Sequence, residues 1–109
     1  MMIASDLLRG SVDTIILAQL AKHDSYGYEI NKEILRKTNG RYELKEATLY
    51  SAFKRLTDNG CITSYWGDGN HGARRRYYSI TATGLQTLDR LQMDWNDAKT
   101  LIDSLVSND

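Results

Sequence analysis

One hairpin signal interrupts a chain that is otherwise patterned for helices, and it limits what the chain can fold into. The stretch CITSYWGDGNHGARRRYYSIT, residues 61–81, sets Gly67, Gly69 and Gly72 between two runs rich in β-branched and aromatic side chains. An isolated two-stranded ribbon is marginal in water, so this one must fold against other elements. The same glycines spell G-x-G-x-x-G, the fingerprint of a dinucleotide-binding turn. That fingerprint works only where a helix leaves the turn and offers its N-terminal amides to a pyrophosphate. Here RRRYYSIT follows, which reads as a strand, so the turn is a hairpin tip and no cofactor is implied. The glycines then allow positive φ and a slender tip.

Three helical segments precede the hairpin. Residues 11–22 carry an apolar stripe of Ile15, Ile16, Leu17, Leu20 and Ala21, with Asp13 in the first turn. Residues 26–37 turn Tyr26, Ile30, Ile34 and Leu35 inward, and Asn39-Gly40 closes the helix in left-handed backbone. A third helix begins at Glu46 and stops at Asn59-Gly60, with Leu49, Ala52, Phe53 and Leu56 at core spacing. Lys45 stands where a capping side chain is expected, so this helix starts weakly. Strands over 61–66 and 74–81 follow, and Thr81 can cap a final helix over 82–106.

At 109 residues, without proline, this order describes a single mainly α (α+β) unit. The expected fold is a winged helix-turn-helix with a two-stranded wing and a long C-terminal dimerisation helix. The second and third helices form the helix-turn-helix, with a longer connection than the usual tight turn. Residues 1–81 are expected to be the DNA-binding part. Residues 82–109 are expected to be the dimerisation helix, compact with the N-terminal one.

The formal charge is zero, but its distribution is uneven. Residues 1–35 hold three basic and five acidic side chains, residues 36–76 nine and four, and residues 77–109 two and five. A basic middle between acidic ends is what a chain shows when its centre meets a polyanion. With its core residues committed, the third helix exposes Thr48, Tyr50, Ser51, Lys54 and Arg55, all hydrogen-bond donors, with Tyr50 and Lys54 on one i, i+4 ridge. Arg74, Arg75 and Arg76 stand at the root of the hairpin, alternating between its faces: Arg76 shares one with Tyr78 and Ile80, and Arg75 shares the other with Tyr77. These eight residues are the expected DNA contacts.

In the final helix, Leu88, Leu91, Trp95, Ala98, Ile102 and Leu105 repeat at alternating spacings of three and four, a heptad seam. A helix of about 25 residues is about 37 Å long, more than a small domain can cover, so the seam implies a homodimer. An indole in mid-seam meets its own copy across a two-fold axis. Trp95 is then either an anchor or the wall of a slot for planar aromatic small molecules, and the small residues Gly10, Thr14 and Ala98 favour the slot. Gln92 and Asp97 would give it polar edges.

Several classes are disfavoured. No apolar run approaches the roughly 18 residues of a membrane span, and no basic, then apolar leader opens the chain, as expected of a cytoplasmic protein. The single cysteine, Cys61, reads as a small buried strand residue. Asp68 and His71 on one turn make no metal site. His23 and His71 both fall in turns without a nucleophile constellation, so no enzyme is expected. A winged-helix module that binds protein rather than an operator is the alternative.

The stretches EATLYSAFKRLTDNGCI and RRRYYSITATG, followed by one long helix, resemble the PadR family of bacterial winged-helix transcription regulators, over nearly the whole chain. The single C-terminal helix is similar to the family's short branch. The resemblance implies a dimer joined through the last and first helices, with Tyr50, Lys54 and Arg55 on double-stranded operator DNA and the wing arginines beside it. It also implies facing copies of Trp95 around a multidrug-binding pore. Gln92 and Lys99 stand where multidrug-sensing relatives carry an aromatic and an acid, so a preference for cations is not implied. Asp13 and Asp97 are the acids that could restore negative charge.

Overall fold

The computed structural model describes residues 7–67 and 74–108. A 3-10 turn, Arg9–Ser11, leads into α1 (Val12–Lys22), followed by α2 (Gly27–Lys37), α3 (Glu46–Asp58), β1 (Ile62–Trp66), β2 (Arg76–Ile80) and α4 (Ala82–Val106). The two strands pair antiparallel, with Tyr65 opposite Tyr77 and Trp66 opposite Arg76. The link before α2 joins them through a bridge in which Ser25 and Tyr78 exchange backbone hydrogen bonds of 3.2 and 2.7 Å. This is the expected mainly α winged-helix arrangement, and the bounds of α4 are those expected. Arg74 and Arg75, by contrast, precede β2 rather than belonging to it.

The core lies where α1, α2 and α3 meet the hairpin. Ile16, Leu17, Leu20, Ile30, Ile34, Leu49, Ala52, Phe53, Leu56, Cys61 and Ile62 are all buried. Phe53 of α3 stacks on Tyr78 of β2 with ring centroids 3.8 Å apart, which seats the wing on the helical trio. All four inward residues assigned to α3 are buried. In α1 the apolar face is turned by a fraction of a turn: Val12 is buried, Ile15 is half-buried and Ala21 is exposed. Tyr26 and Leu35, expected inside, are half-buried; Tyr26 is the extended residue that precedes α2.

Helix ends behave as the residue types require. Asn39 and Gly40 (φ 54° and 77°) close α2, and Gly60 (φ 75°) closes α3. The start of α3 is uncapped at Lys45, as its side chain implies. The eight-residue connection between α2 and α3 is held by Asn31, whose side chain bonds both the carbonyl and the amide of Leu44 at 2.8 Å.

The start of α4 is fixed most tightly. Thr81 Oγ1 accepts from Gly84 N at 3.0 Å and donates to the Gly60 carbonyl at 2.6 Å. Gly84 packs so closely that a Cβ would lie inside contact distance of the Cys61 carbonyl oxygen and 2.6 Å from Ile80 Cγ1. Gly84→Ala would favour an unconstrained helix by about 1 kcal/mol. Here it is expected to destabilise the protein by about 3 kcal/mol through overpacking against backbone. Urea unfolding measures the sign, and a stabilised variant would overturn the close approach.

The role assigned to Gly67 also changes. Its φ is not positive; a Cβ there would collide with the Tyr77 ring, so close packing rather than left-handed backbone requires glycine. Asp68, Gly69, His71 and Gly72 lie outside the described residues. Among the described residues no group of side chains could hold a metal ion, and no helix is long and apolar enough to cross a membrane.

Candidate nucleic-acid interface

Helix α3 leaves Thr48, Tyr50, Ser51, Lys54 and Arg55 exposed, because Leu49, Ala52, Phe53 and Leu56 take the opposite face into the core. That face packs on the hairpin, where Phe53 meets Tyr78 of β2. Burial of Tyr78 against Phe53 carries Arg76, two residues earlier and on the same side of the strand, towards α3. Tyr50, Lys54 and Arg76 thereby line one notch, with Phe53, Thr57, Asp58 and Tyr78 as its remaining walls. A phenol, an ammonium and a guanidinium at the mouth of one concavity form a phosphate-binding arrangement. Thr48 faces a separate cleft beside Tyr42, Glu43, Leu44 and Lys45.

Two of the cations are paired in the free protein. Lys54 Nζ lies 3.0 Å from Asp58 Oδ2, one turn on, and both are well exposed. Such a pair is worth little and exchanges readily for another anion. Arg55 forms a two-pronged pair with Asp13 of α1, with Nε 3.1 Å from one carboxylate oxygen and Nη2 on the other. The hydrogen bond to Asp13 raises the Arg55 pKa above the ordinary arginine value. Asp13 and Arg55, assigned to different sites by sequence, are thus partners.

The three wing arginines each meet an aromatic ring. The Arg74 and Arg76 guanidinium carbons lie 5.4 and 5.7 Å from the Trp66 ring centroid, and that of Arg75 lies 4.9 Å from Tyr26. Arg76 also donates to Ser64 Oγ at 2.8 and 3.0 Å. Tyr26 was read from sequence as a core residue and Trp66 only as part of a strand, so neither was assigned to this surface. The cross-strand register that sets Trp66 opposite Arg76 was the available signal, because SYW and RRRYY flank the same turn at matched distances.

A second concavity, of about 380 Å³, runs between α1, the end of α2 and α4. Its walls are mainly apolar and include Ile15, Ala18, Ile34, Tyr42 and Trp95, with Thr14 and Lys37 among its polar groups. Of the six residues expected around a ligand, the structure brings together Thr14 and Trp95. Asp13 is turned to Arg55, while Gln92, Ala98 and Lys99 lie on α4 outside the groove. The pKa of Lys37 is lowered, chiefly by the Lys22 side chain in contact with it.

The seam on α4 divides in two. Leu88 is buried in the protomer's own core and Leu91 packs half-buried against it, so the first two seam positions are not free for a partner. Farther out the apolar side chains face water: Trp95 is 52% exposed, Ile102 55% and Leu105 82%, and Leu101 and Val106, outside the assigned seam, are exposed as well.

The helical trio, the paired wing and the exposed cationic face of α3 define a winged helix-turn-helix domain of the kind that regulators of transcription use. The model of the transcriptional regulator PadR-like family matches residues 16–90, and the chain belongs to that family. A transcriptional regulator from Clostridium thermocellum is 48% identical, with a TM-score of 0.87 over 94% of this chain and 100% of that one. A PadR family regulator from Clostridium difficile is 34% identical (TM-score 0.76, over 89% and 99%), and one from Eggerthella lenta is 26% identical (TM-score 0.85, over 99% and 92%). An uncharacterized protein of Lysinibacillus sphaericus shares 44% identity over 94% of each chain. Members of the family are transcriptional regulators rather than enzymes.

Proposed function

We propose that the protein is a homodimeric repressor whose α3 and wing bind operator DNA, and whose binding is modulated by a planar aromatic small molecule beside Trp95. The observation that carries the DNA reading is the notch shared by Tyr50, Lys54 and Arg76, which joins a helix face to a wing strand as one cationic surface. Thr48, Ser51 and Arg55 extend it along α3, and Arg74 and Arg75 extend it along the wing. Residues 1–81 then form the DNA-binding part and residues 82–109 the dimerisation helix. The exposed apolar residues from Trp95 to Val106 support the second copy.

For the effector, the support is an apolar groove that contains both Thr14 and Trp95. In these residues the chain resembles the multidrug-sensing repressor LmrR, and we read the groove in that light. Gln92, Ala98 and Lys99 lie within about a turn of Trp95 on α4 and contribute once a second copy closes the groove.

The test is a gel shift with the DNA upstream of the protein's own gene. The dimer is expected to prefer one segment of it over random duplex by about a thousandfold. A bis-benzimidazole dye at micromolar concentration is expected to quench Trp95 and weaken that complex, and Trp95→Ala to lose the response while remaining dimeric. Equal affinity for random duplex would overturn the operator. Undiminished dye binding by Trp95→Ala would overturn the groove.

A further inference from the structure

The three consecutive residues that precede α2 all grip the wing. Asp24 accepts a 2.6 Å hydrogen bond from the Tyr65 hydroxyl, and this bond raises the Tyr65 pKa. Ser25 pairs with Tyr78 through backbone. Tyr26 meets Tyr77 edge-on at 5.2 Å, and Tyr77 in turn stacks on Tyr65 at 5.6 Å with rings 13° from parallel. The ladder runs from Asp24 through Tyr65, Tyr77 and Tyr26 to the guanidinium of Arg75. On the other face of the hairpin, Trp66 is bracketed by Arg74 and Arg76, and Ser64 holds the latter.

We propose that Tyr26 and Trp66 are positioning residues for DNA binding: their rings hold the three wing arginines in the orientation in which phosphates meet them. A guanidinium held over a ring face leaves N–H groups free to point away from it, so ring contact and phosphate binding are compatible. An unstacked arginine must be immobilised when DNA binds, and each long side chain so ordered costs affinity. The rings remove part of that cost before binding. The wing's short length makes this matter, because a two-stranded ribbon has little rigidity of its own.

This inference rests on the DNA-binding reading, and its test separates the two. Trp66→Leu and Tyr26→Leu keep apolar bulk and remove the ring; Trp66→Phe and Tyr26→Phe restore one. Trp66 is 55% exposed, so its replacement leaves the core intact. An exposed cation–ring contact is worth about two- to fivefold in affinity. Trp66→Leu removes two such contacts in each half of a dimer, so binding at fixed salt is expected to weaken on the order of tenfold or more. The slope of log affinity against log salt is expected to stay at the wild-type value, because the same phosphates are neutralised, whereas Arg75→Ala lowers it. The phenylalanine variants are expected to recover most of the loss. Leucine variants that bind as tightly as wild type, or a loss that phenylalanine does not restore, would overturn the positioning role while leaving the DNA reading intact. Failure of the wild-type protein to retain any duplex at 50 mM salt would overturn both.

Discussion

Raising the salt concentration from 50 to 200 mM is expected to weaken binding to operator DNA by on the order of a thousandfold or more. The size follows from counting cations. Each protomer offers Arg74, Arg75 and Arg76 on the wing, together with Lys54 and Arg55 on α3. In a dimer the wing alone meets about six phosphates and the full set about ten, the range in which affinity falls this steeply as counterions are released. Lys54 and Arg55 begin paired with Asp58 and Asp13, so each must exchange a carboxylate for a phosphate. Their contribution is therefore smaller than that of the wing. Lys54→Ala is expected to reduce the slope, and Arg75→Ala to reduce it more; fluorescence anisotropy over a salt series measures both. Unchanged slopes in the two variants would remove this surface from consideration. In a two-fold dimer the half-sites are further expected about 34 Å apart, or a multiple of that.

Replacing Ile102 and Leu105 together with lysine is expected to convert the dimer to monomers at micromolar concentration. Both side chains are largely exposed on one chain, so the substitutions cost the isolated fold little. Across a seam they would bury four unpaired ammonium groups per dimer, each strongly disfavoured. Light scattering distinguishes the outcomes: wild type at twice the mass of the variant supports the seam, and equal masses overturn it. Because Leu88 and Leu91 pack into the protomer's own core, the same substitutions at those positions are expected to unfold the chain instead. The boundary between core and the proposed seam is therefore expected between Leu91 and Trp95.

Much of the fold was legible because its determinants are local. The spacing of Leu49, Ala52, Phe53 and Leu56, the glycines after α2 and α3, and Thr81 before α4 each act within a turn or two of backbone, and each was found as read. What escaped depends on contacts between distant residues. Asp13 and Arg55 are 42 positions apart, and no periodicity in either helix announces their pairing. Leu88 has the spacing of a seam residue and the surroundings of a core residue, since heptad and core patterns coincide on a helix that does both. Gly67 has the composition of a flexible turn, yet the constraint on it comes from the Tyr77 ring across the hairpin. The ligand set was read from the first and last helices, whereas the groove also takes in the end of α2 and the link beyond it, so Ile34, Lys37 and Tyr42 were missed.

The close seating of Gly84 against the Cys61 carbonyl makes the long helix and the wing a single lever with a short and a long arm. β1 starts at Ile62, one residue beyond that contact, and Thr81 ties α4 to the Gly60 carbonyl beside it. Little bending is available at the fulcrum, because backbone there touches backbone. For a helix about 37 Å long, a tilt of about 5° at the fulcrum displaces the far end by about 3 Å. Run in reverse, a slip of about 3 Å where two such helices cross would swing each wing by the same angle. The short arm, a five-residue strand about 17 Å long, would move by about 1.5 Å at its tip. In a dimer, an adjustment at the distal crossing would thus reach each wing as a rotation, with its displacement reduced by the ratio of the two arms.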